Sequence, residues 1–420
     1  MRCAGLSPKV PVETGPPAMP LLHFMLVGCA QLVGIGTIYF TIAVISPALS
    51  RDTGVSLAMV FGLLSSAMLT AGLLGPTLGR QIDRGGARGI LIAGSVMGAL
   101  GLVGLSAAQG VASIGLSLLA LQIGSQMALY ETIFPALAKV DAAGARRRIA
   151  TVTLFGGFAS TVFWPVTGLL SDWFGWRQAL MVLAALELAV CIPIYVVAFA
   201  PRRQVLGTSS DIRPAEPAAA LPAVEPLPRR AALQVGILLA IAIAAMSFVF
   251  NAIELTFAAL FASLGAAPGT IIAIAAMKGP ASVIARAAEL IAGERVHPLT
   301  KGIAMTAGMA LSLVIGAFGA PNPIALWVFA MLLGTTQGLF SIVRGTIPLA
   351  LFGAGGFGEL LGRIGIARQM AIASAPAVTA FVIDHAGADH ALGLMAVLSL
   401  VALVALAAVA RIVAGVRAAA

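Results

Sequence analysis

Charged residues are scarce in this sequence of 420 residues, since Asp, Glu, Lys and Arg together make up only 10% of it. Aromatic residues are also few, at 6%. The three cysteines, Cys3, Cys29 and Cys191, form no C-x-x-C pair, so their spacing indicates neither a zinc site nor a redox disulfide. About a quarter of the residues of a soluble domain are charged. The composition therefore excludes an ordinary soluble protein.

Motifs for catalysis and nucleotide binding are also missing. The sequence contains no Ser-His-Asp, Cys-His or H-E-x-x-H arrangement and no G-x-x-x-x-G-K-[ST] loop that would bind ATP. We therefore predict no enzyme, no metal site and no cofactor. The net charge of +9 would suit nucleic acid if the basic residues were gathered on one solvated face. They are scattered between apolar runs, so no nucleic-acid partner is predicted.

Long apolar runs dominate instead, with 60% hydrophobic residues and a mean hydropathy of +1.03. A helix of about 20 apolar residues crosses the core of a bilayer, which is about 30 Å thick. Runs of that length lie near 22–47, 56–79, 89–108, 112–138, 150–171 and 176–199, and then near 232–262, 268–290, 301–319, 324–350, 361–383 and 390–412. The sequence thus predicts an all-α membrane protein in the lipid bilayer, with twelve transmembrane helices in two pseudo-symmetric six-helix bundles.

A segment rich in proline and charge separates the two sets of runs. Residues 201–230, PRRQVLGTSSDIRPAEPAAALPAVEPLPRR, contain six prolines and eight charged residues, which is typical of a solvated linker. The predicted organisation is an N-terminal tail (1–20), a first bundle (21–200), the linker (201–230), a second bundle (231–413) and a C-terminal tail (414–420). The first run is too long for the core of a signal peptide, so we expect it to be retained.

Basic residues lie almost entirely on one side of the predicted spans. The two termini and the 2–3, 4–5, 6–7, 8–9 and 10–11 loops, with their flanking helix ends, hold 23 of the 25 Lys and Arg residues. Only Arg51 and Arg177 lie on the other side. Because cytoplasmic loops carry an excess of Lys and Arg, we predict cytoplasmic termini. Heavy use of Arg, Ala and Gly suggests a prokaryotic gene, and hence the plasma membrane of a bacterium.

The stretch GRQIDRGGAR (79–88) between the second and third runs carries four charges in ten residues. Its glycines favour a tight turn, and Asp83 can accept hydrogen bonds from a nearby arginine or a helix N-terminus. This stretch resembles the 2–3 loop signature of the major facilitator superfamily, G-x-x-x-D-R-x-G with a nearby basic residue. The matching residues are Gly79, Asp83, Arg84, Gly85 or the adjacent Gly86, and Arg88.

Further segments extend this resemblance along the chain. FGWR (174–177) is common at the start of span six in the superfamily, and IYFTIAVISPALSRDTG and LGRQIDRGGARGILIAGS look most like its monocarboxylate-porter branch. TGLLSDWFGWRQAL (167–180) and TAFVIDHAGADHAL (379–392) also echo each other at equivalent junctions, which favours a duplicated six-helix unit. The resemblance implies that Asp83 ties the first half to the second when the protein faces outward. The 8–9 loop lacks the Asp-Arg-x-Gly core, so the resemblance implies no second tie of the same kind.

Polar residues recur at helical spacing inside spans four, seven, eight and ten. A charged side chain at the centre of a transmembrane helix costs about 2.5–3.5 kcal/mol on insertion scales, so each needs a partner, a water-filled cavity or a function. The resemblance implies that spans one, four, seven and ten line a central cavity, flanked by spans two, five, eight and eleven. The candidate cavity residues are Gln126, Tyr130, Asn251, Glu254, Lys278, Gln337 and Arg344.

Several of these charges have two interpretations. Lys278 either contacts the substrate or forms a buried ion pair, for which Glu254 is the candidate partner. Glu131 and Arg344 each precede a proline by four residues, so they form either a gating pair between the halves or two unrelated charges. Glu187, midway along span six, is expected to be protonated or hydrogen-bonded and not to bind substrate.

The residues and the resemblance together predict a secondary transporter that moves a small solute by alternating access, as a monomer. Lys278 and Arg344 favour an organic anion or zwitterion as substrate, and Glu254 or Glu131 could carry a coupling proton. The alternatives are a membrane sensor that resembles a transporter without moving solute, and an exporter of drugs or other toxic compounds.

Overall fold

A computed structural model of the protein describes residues 21–140, 144–200, 227–292, 296–319 and 322–419. The described residues form helices and short connections, with no strand among them. The predicted N-terminal tail and residues 201–226 of the predicted linker lie outside this part. The helices of the first half are α1 (Leu21–Gly34), a π-helical segment (Ile35–Phe40), α2 (Thr41–Thr53), α3 (Leu57–Gly72), α4 (Gly75–Gly85), α5 (Arg88–Ser106), α6 (Val111–Ala128), α7 (Tyr130–Val140), α8 (Ala145–Gly157), α9 (Ala159–Phe174) and α10 (Trp176–Ala198).

The described part of the second half contains six longer helices. They are α11 (Arg229–Ser263), α12 (Pro268–Ala292), α13 (Pro298–Gly319), α14 (Pro323–Phe352), α15 (Phe357–Ala386) and α16 (Ala388–Ala419). By length and composition, ten helical stretches of the described chain can cross a membrane, and the bent pair of α3 and α4 makes an eleventh. The remaining helix, α12, has 25 residues, which span about 38 Å at 1.5 Å per residue and therefore suffice for a crossing.

Twelve spans result, and they pack as two bundles of six. Span one joins α1, the π-helical segment and α2, while spans two, four and five each join two helices, α3 with α4, α6 with α7, and α8 with α9. In the first bundle α5 packs on α6 and α10, and α1 packs on α8 and α10. In the second bundle α11 packs on α15 and α16, and α14 packs on α12 and α13. Buried apolar side chains form the core of each bundle.

Spans one and two depart from straight α-helices. Span two bends by 41° between α3 and α4. Pro76 lies in the first turn of α4, where its ring nitrogen cannot donate to the carbonyl of Gly72, so the bend has a local cause. Span one contains the π-helical segment, a backbone form that often occurs at functional sites.

Span four is interrupted at Leu129, whose backbone is extended. The carbonyl of Ala128 accepts hydrogen bonds from Gln31 Nε2 at 2.8 Å and from the Tyr195 hydroxyl at 3.2 Å. These donors satisfy an oxygen that the α-helix leaves unpaired, as the interior of a membrane protein requires. Side chains from two other spans therefore hold the interruption in place.

Helices α4 and α15 bring the two halves into close contact at the end of the molecule where α4 meets α5, which we call the Asp83 end. Gly75 and Gly79 of α4 lie against Gly362 and Gly358 of α15. A Cβ atom on Gly79 would lie 2.1 Å from the Gly358 carbonyl oxygen, and one on Gly362 would lie 2.3 Å from the Gly75 oxygen. Small residues allow such backbone contact between membrane helices, and here they close the molecule at the Asp83 end.

This geometry corrects the predicted 2–3 loop. Helix α4 continues to Gly85, so most of the stretch expected to be a turn is helical. Of its three glycines only Gly86 has a positive φ, at +88°, and it supplies the turn. Gly79 is needed instead for the close packing of α4 on α15. The sequence of α4 alone does not reveal this role, because α15 lies far away in the sequence.

Candidate functional site

A cavity of about 260 Å³ lies between the two halves. Its charged residues are one glutamate and three arginines, Glu131, Arg286, Arg344 and Arg368. The rest of the lining is polar or apolar, with several aromatic rings: Ile35, Tyr39, Phe40, Met68, Gln122, Ser125, Gln126, Leu129, Tyr130, Gly156, Phe250, Gln337, Phe340, Ser341, Gln369 and Ile372. The π-helical segment and the interrupted span four both contribute to this wall, so irregular backbone borders the cavity.

Glu131 of α7 binds two arginines of the opposite half. Arg344 Nη1 of α14 lies 3.0 Å from Glu131 Oε1 and 3.4 Å from Oε2. Arg368 Nη2 of α15 also contacts Glu131 Oε1. The Arg344 guanidinium lies over the rings of Tyr130 and Phe134, with centroid distances of 5.4 and 5.5 Å. A single carboxylate therefore links the halves and carries one negative charge against two positive charges.

Arg286 of α12 is buried, and its Nε donates to Ser341 Oγ at 3.1 Å. Within the part of the chain that the structure describes, it forms no ion pair with an acidic side chain. A Cβ atom on Gly157 of α8 would lie 1.8 Å from Arg286 Nη1. Gly157 therefore leaves the space that the guanidinium occupies. The neighbouring Gly156 likewise leaves space for the Tyr130 hydroxyl, because a Cβ atom on Gly156 would lie 1.9 Å from that oxygen.

Two further polar atoms beside the cavity have no partner in the described structure. Arg368 Nε and Gln369 Oε1 are buried, and neither makes a hydrogen bond there. Gln369 and Arg368 both line the cavity. Buried polar atoms are normally hydrogen-bonded, so a ligand in the cavity could supply a partner to this donor and this acceptor.

The structure brings together four of the seven predicted cavity residues. Gln126, Tyr130, Gln337 and Arg344 belong to the lining, whereas Asn251, Glu254 and Lys278 do not. Lys278 Nζ lies 2.6 Å from Glu254 Oε2 and 5.0 Å from the centre of the Phe257 ring. The structure thus shows Lys278 in the ion pair with Glu254, one of the two interpretations of its charge, and outside the lining of this cavity; a substrate contact stays a prediction. Asn251 Nδ2 donates to the Ile372 carbonyl at 3.4 Å within the second half.

The sequence-based selection missed Arg286, Arg368 and Gln369. Arg286 is eight residues beyond Lys278 on the same helical stripe, so periodicity alone could not separate the two. Arg368 is a charged residue well inside a predicted span, and the cost of such a charge is a signal that could have identified it. Gln369 has no comparable signal.

At the Asp83 end a second carboxylate links the halves. Asp83 Oδ1 accepts from the Gly358 backbone N and Oδ2 from the Glu359 backbone N, both at 3.1 Å. These amides belong to the first turn of α15, where a negative charge is favourable. Lys139 Nζ donates to the carbonyls of Ile82 and Asp83, at 2.9 and 2.7 Å, and so fixes the end of α4. Asp83 thus caps a helix of the other half.

The other residues of the stretch GRQIDRGGAR lie around this cap. Arg80 lies three residues before Asp83 in α4, and its Nη1 is 3.4 Å from Glu359 Oε1 of α15. Arg84 and Gly85 are exposed, and Arg88 begins α5. The two halves are therefore in contact both at the cavity, through Glu131, and at the Asp83 end, through Asp83 and Arg80.

Comparison with known proteins identifies the family. A family model described as Major Facilitator Superfamily matches residues 27–300, which is more than half of the chain. The chain belongs to the major facilitator superfamily. No curated protein sequence matches it at a significant level.

Solved structures of the superfamily share the fold. The human organic anion transporter MFSD10 (TETRAN) is 14% identical with a TM-score of 0.69, covering 92% of this chain and 99% of that one. The proton:xylose symporter XylE, bound to 6-bromo-6-deoxy-D-glucose, is 13% identical with a TM-score of 0.66, covering 91% and 94%. A bacterial homologue of the iron transporter ferroportin in the outward-facing state is 14% identical with a TM-score of 0.71, covering 93% and 99%.

These comparisons confirm several predictions from the sequence. The protein is a multi-pass membrane protein of two six-helix bundles, and it belongs to a family of transporters, not of enzymes. The monocarboxylate-porter branch, the exact domain boundaries, the orientation of the termini and the kind of membrane stay predictions.

Proposed function

We propose that the protein moves a small organic anion across the membrane by alternating access of its cavity to the two sides. Membership of a transporter family supports transport. We propose an anion because of the charge of the cavity. Three arginines against one glutamate give a formal charge of +2 around about 260 Å³.

The positive charge favours an anionic ligand. Cations buried in a membrane protein are costly unless an anion neutralises them, and Glu131 supplies only one negative charge for Arg344 and Arg368. Arg286 has a hydroxyl partner and no carboxylate partner among the described residues. A guanidinium binds a carboxylate through two parallel hydrogen bonds, so Arg286 with Ser341 suits the carboxylate group of a ligand. The same charge counts against a cationic drug.

The rest of the lining supports a ligand with an apolar part. Five aromatic rings line the cavity, those of Tyr39, Phe40, Tyr130, Phe250 and Phe340. Such rings bind apolar groups better than they bind a hydrated inorganic ion. Pockets for drug-sized ligands enclose about 300–1,000 Å³, and this cavity is smaller. The proposed substrate is therefore an organic acid of few carbon atoms.

The contacts between the halves suggest how binding is linked to movement. With the predicted orientation, the Asp83 end faces the cytoplasm, and its closure corresponds to an outward-facing state. A substrate carboxylate at Arg344 or Arg368 would compete with Glu131 for the same donors. Substrate would then weaken an ion pair that joins the halves, and by linkage opening of the Asp83 end would become easier with substrate bound.

Binding and uptake measurements test this proposal. Purified protein is heated with a panel that contains lactate, succinate, benzoate, phosphate, glucose and tetraphenylphosphonium, and uptake of the stabilising compounds into proteoliposomes is then measured. We expect small organic carboxylates to stabilise the fold and to be taken up. Stabilisation by glucose or by tetraphenylphosphonium, with none by the carboxylates, would contradict an anionic substrate.

The variant Arg286→Gln tests the assigned contact. Hydrogen bonds to a charged group contribute about 1.5–3 kcal/mol, so we expect the affinity for the carboxylate to fall about 10- to 100-fold. Arg411→Gln is the matched control, because Arg411 is an exposed arginine of α16 that does not line the cavity. Equal affinity in the wild type and Arg286→Gln would show that the anion binds elsewhere.

A further inference from the structure

Glu187 of α10 is fully buried inside the first bundle. Its Oε2 lies 2.8 Å from Thr37 Oγ1 of the π-helical segment, and its Oε1 has no hydrogen-bond partner among the described residues. No basic side chain of the described chain forms an ion pair with it. Glu187 is therefore a carboxyl group without a counter-cation in the interior of a membrane protein.

Among the described residues, the side chains beside Glu187 are polar and uncharged. Ser95 of α5 lies beside the carboxyl group, and its buried hydroxyl has no assigned hydrogen-bond partner among the described residues. The titratable neighbours are both on α10, where the Cys191 thiol donates to the Ala30 carbonyl and the Tyr195 hydroxyl donates to the Ala128 carbonyl. The charged residues of the helices packed on α10 lie at helix ends: Arg51 and Asp52 of α2, Arg88 of α5, Asp172 of α9 and Arg177 of α10 itself.

The hydrogen bonds of Thr37 indicate which partner carries the proton. Thr37 Oγ1 lies 3.0 Å from the Val33 carbonyl as well as 2.8 Å from Glu187 Oε2, but the hydroxyl has a single hydrogen. A threonine in a helix commonly donates to the carbonyl four residues earlier. Its oxygen can then accept from Glu187 only if the carboxyl group holds a proton. An ionised carboxylate here would be buried with no compensating charge, which is very unfavourable.

Glu187 lies directly behind the cavity wall. A Cβ atom on Gly34 would lie 3.7 Å from Glu187 Oε2 and 3.0 Å from Leu129 Cδ2, and Leu129 lines the cavity. Gly34 immediately precedes the π-helical segment, which brings Ile35, Tyr39 and Phe40 to the cavity. The carboxyl group therefore holds, through Thr37, the segment of span one that shapes the substrate cavity.

We propose that Glu187 is a proton-binding site that couples proton movement to rearrangement of span one. In the described state, closed at the Asp83 end, the carboxyl group is protonated and donates to Thr37. When the π-helical segment moves and water reaches the group, the proton passes from the carboxyl oxygen to water and leaves a carboxylate, for which the Ser95 hydroxyl is an available donor. The coupling to a substrate rests on the proposed transport function, whereas the protonation does not.

Two measurements on the protein without substrate test the protonation. Infrared spectra at neutral pH should show the C=O band of a protonated carboxyl group. Glu187→Gln should remove this band. The control Glu254→Gln, which changes an exposed carboxylate in an ion pair, should leave it in place. In the wild type, a hydrophobic carbodiimide should modify Glu187, as detected by peptide mass spectrometry, because such reagents react with protonated carboxyl groups. The labelling needs no variant, so poor folding of Glu187→Gln would not prevent the test. Absence of both the band and the label would overturn the proposal.

Transport in proteoliposomes tests the coupling. If one proton moves with each substrate molecule, a gradient of one pH unit allows the substrate to accumulate about tenfold. We expect the wild type to approach this value. Glu187→Gln, which keeps a neutral hydrogen-bonding side chain, should lose the accumulation and retain substrate exchange without a gradient. Gradient-driven accumulation by Glu187→Gln equal to that of the wild type would refute the coupling. Failure of the wild type to take up any organic anion would refute the proposed function instead, and the infrared and labelling results would still decide the protonation.

Discussion

The substitution Gly79→Ala tests whether the glycine crossing of α4 and α15 holds the two halves together. A Cβ atom at this position would lie 2.1 Å from the Gly358 carbonyl oxygen and 2.7 Å from the Glu359 backbone nitrogen. Ordinary van der Waals contact begins near 3.4 Å. Because both neighbours are backbone atoms, no side chain can turn away to make room. We therefore expect the two helices to separate by about 1 Å.

The cost of this separation follows from the cap that Asp83 provides. Its two carboxylate oxygens accept from the Gly358 and Glu359 backbone nitrogens at 3.1 Å, and a further 1 Å or so exceeds hydrogen-bond distance. At this partly exposed position we assign about 1 kcal/mol to each bond. The closed state would then lose about 2 kcal/mol, which shifts the equilibrium between closed and open Asp83 ends about 30-fold.

Distances between spin labels measure this shift. Labels at Gln81→Cys and Gly355→Cys, two exposed positions in opposite halves, are introduced into a chain whose three native cysteines are replaced by alanine. We expect Gly79→Ala to populate longer distances than the parent chain. Gly85→Ala is the matched control, since a Cβ atom there meets nothing within 4 Å. Identical distance distributions for Gly79→Ala and Gly85→Ala would refute the reasoning.

Two further predictions concern the arginines of the cavity. Exchanging the charges with Glu131→Arg and Arg344→Glu should restore part of the transport that each single change removes, but only part, because Arg368 also contacts Glu131 and would then face a like charge. Gly157→Ala should displace the Arg286 guanidinium, whose Nη1 lies 1.8 Å from the added atom, and should lower the affinity for an organic anion about tenfold at unchanged expression.

Both predictions can fail in a defined way. If the exchanged pair transports no better than the worse single variant, Glu131 and Arg344 do not act together, since coupled residues show a non-additive effect. For Gly157→Ala the matched control is Gly168→Ala on the neighbouring helix α9, where a Cβ atom has open space. Affinities that are equal in these two variants would show that the position of Arg286 does not affect binding.

The number and arrangement of the spans could be predicted because the bilayer restricts the answer. A crossing needs about 20 apolar residues, and its backbone must be satisfied internally, so each span appears in the sequence as a long apolar run. The irregular backbone could not be predicted in the same way. The interruption at Leu129 depends on Gln31 and Tyr195, which come from spans one and six, and no pattern within span four announces those donors.

The cavity was predictable only as a set of helical stripes. Lys278, Ser282 and Arg286 follow one another on the same face of α12 at intervals of four residues. Which of them reaches the cavity depends on the point along α12 at which the neighbouring helices contact it. Glu254 of α11 lies beside Lys278, and Gly157 of α8 makes room for Arg286. Periodicity gives the direction in which a side chain points, but its depth and partner depend on other helices.

The two halves are joined at the Asp83 end by unlike contacts, although the fold is pseudo-symmetric. On one side Asp83 of the first half caps α15 of the second. At the position related to it by the pseudo-symmetry, the 8–9 loop lacks the Asp-Arg-x-Gly core. There Arg146, at the start of α8, donates instead to the Val296 carbonyl. The first contact places an anion at a helix N-terminus, whereas the second places a cation on a carbonyl oxygen. Since neutralising Asp83 removes only the first of these contacts, closure of the Asp83 end should weaken in steps and not be lost at once.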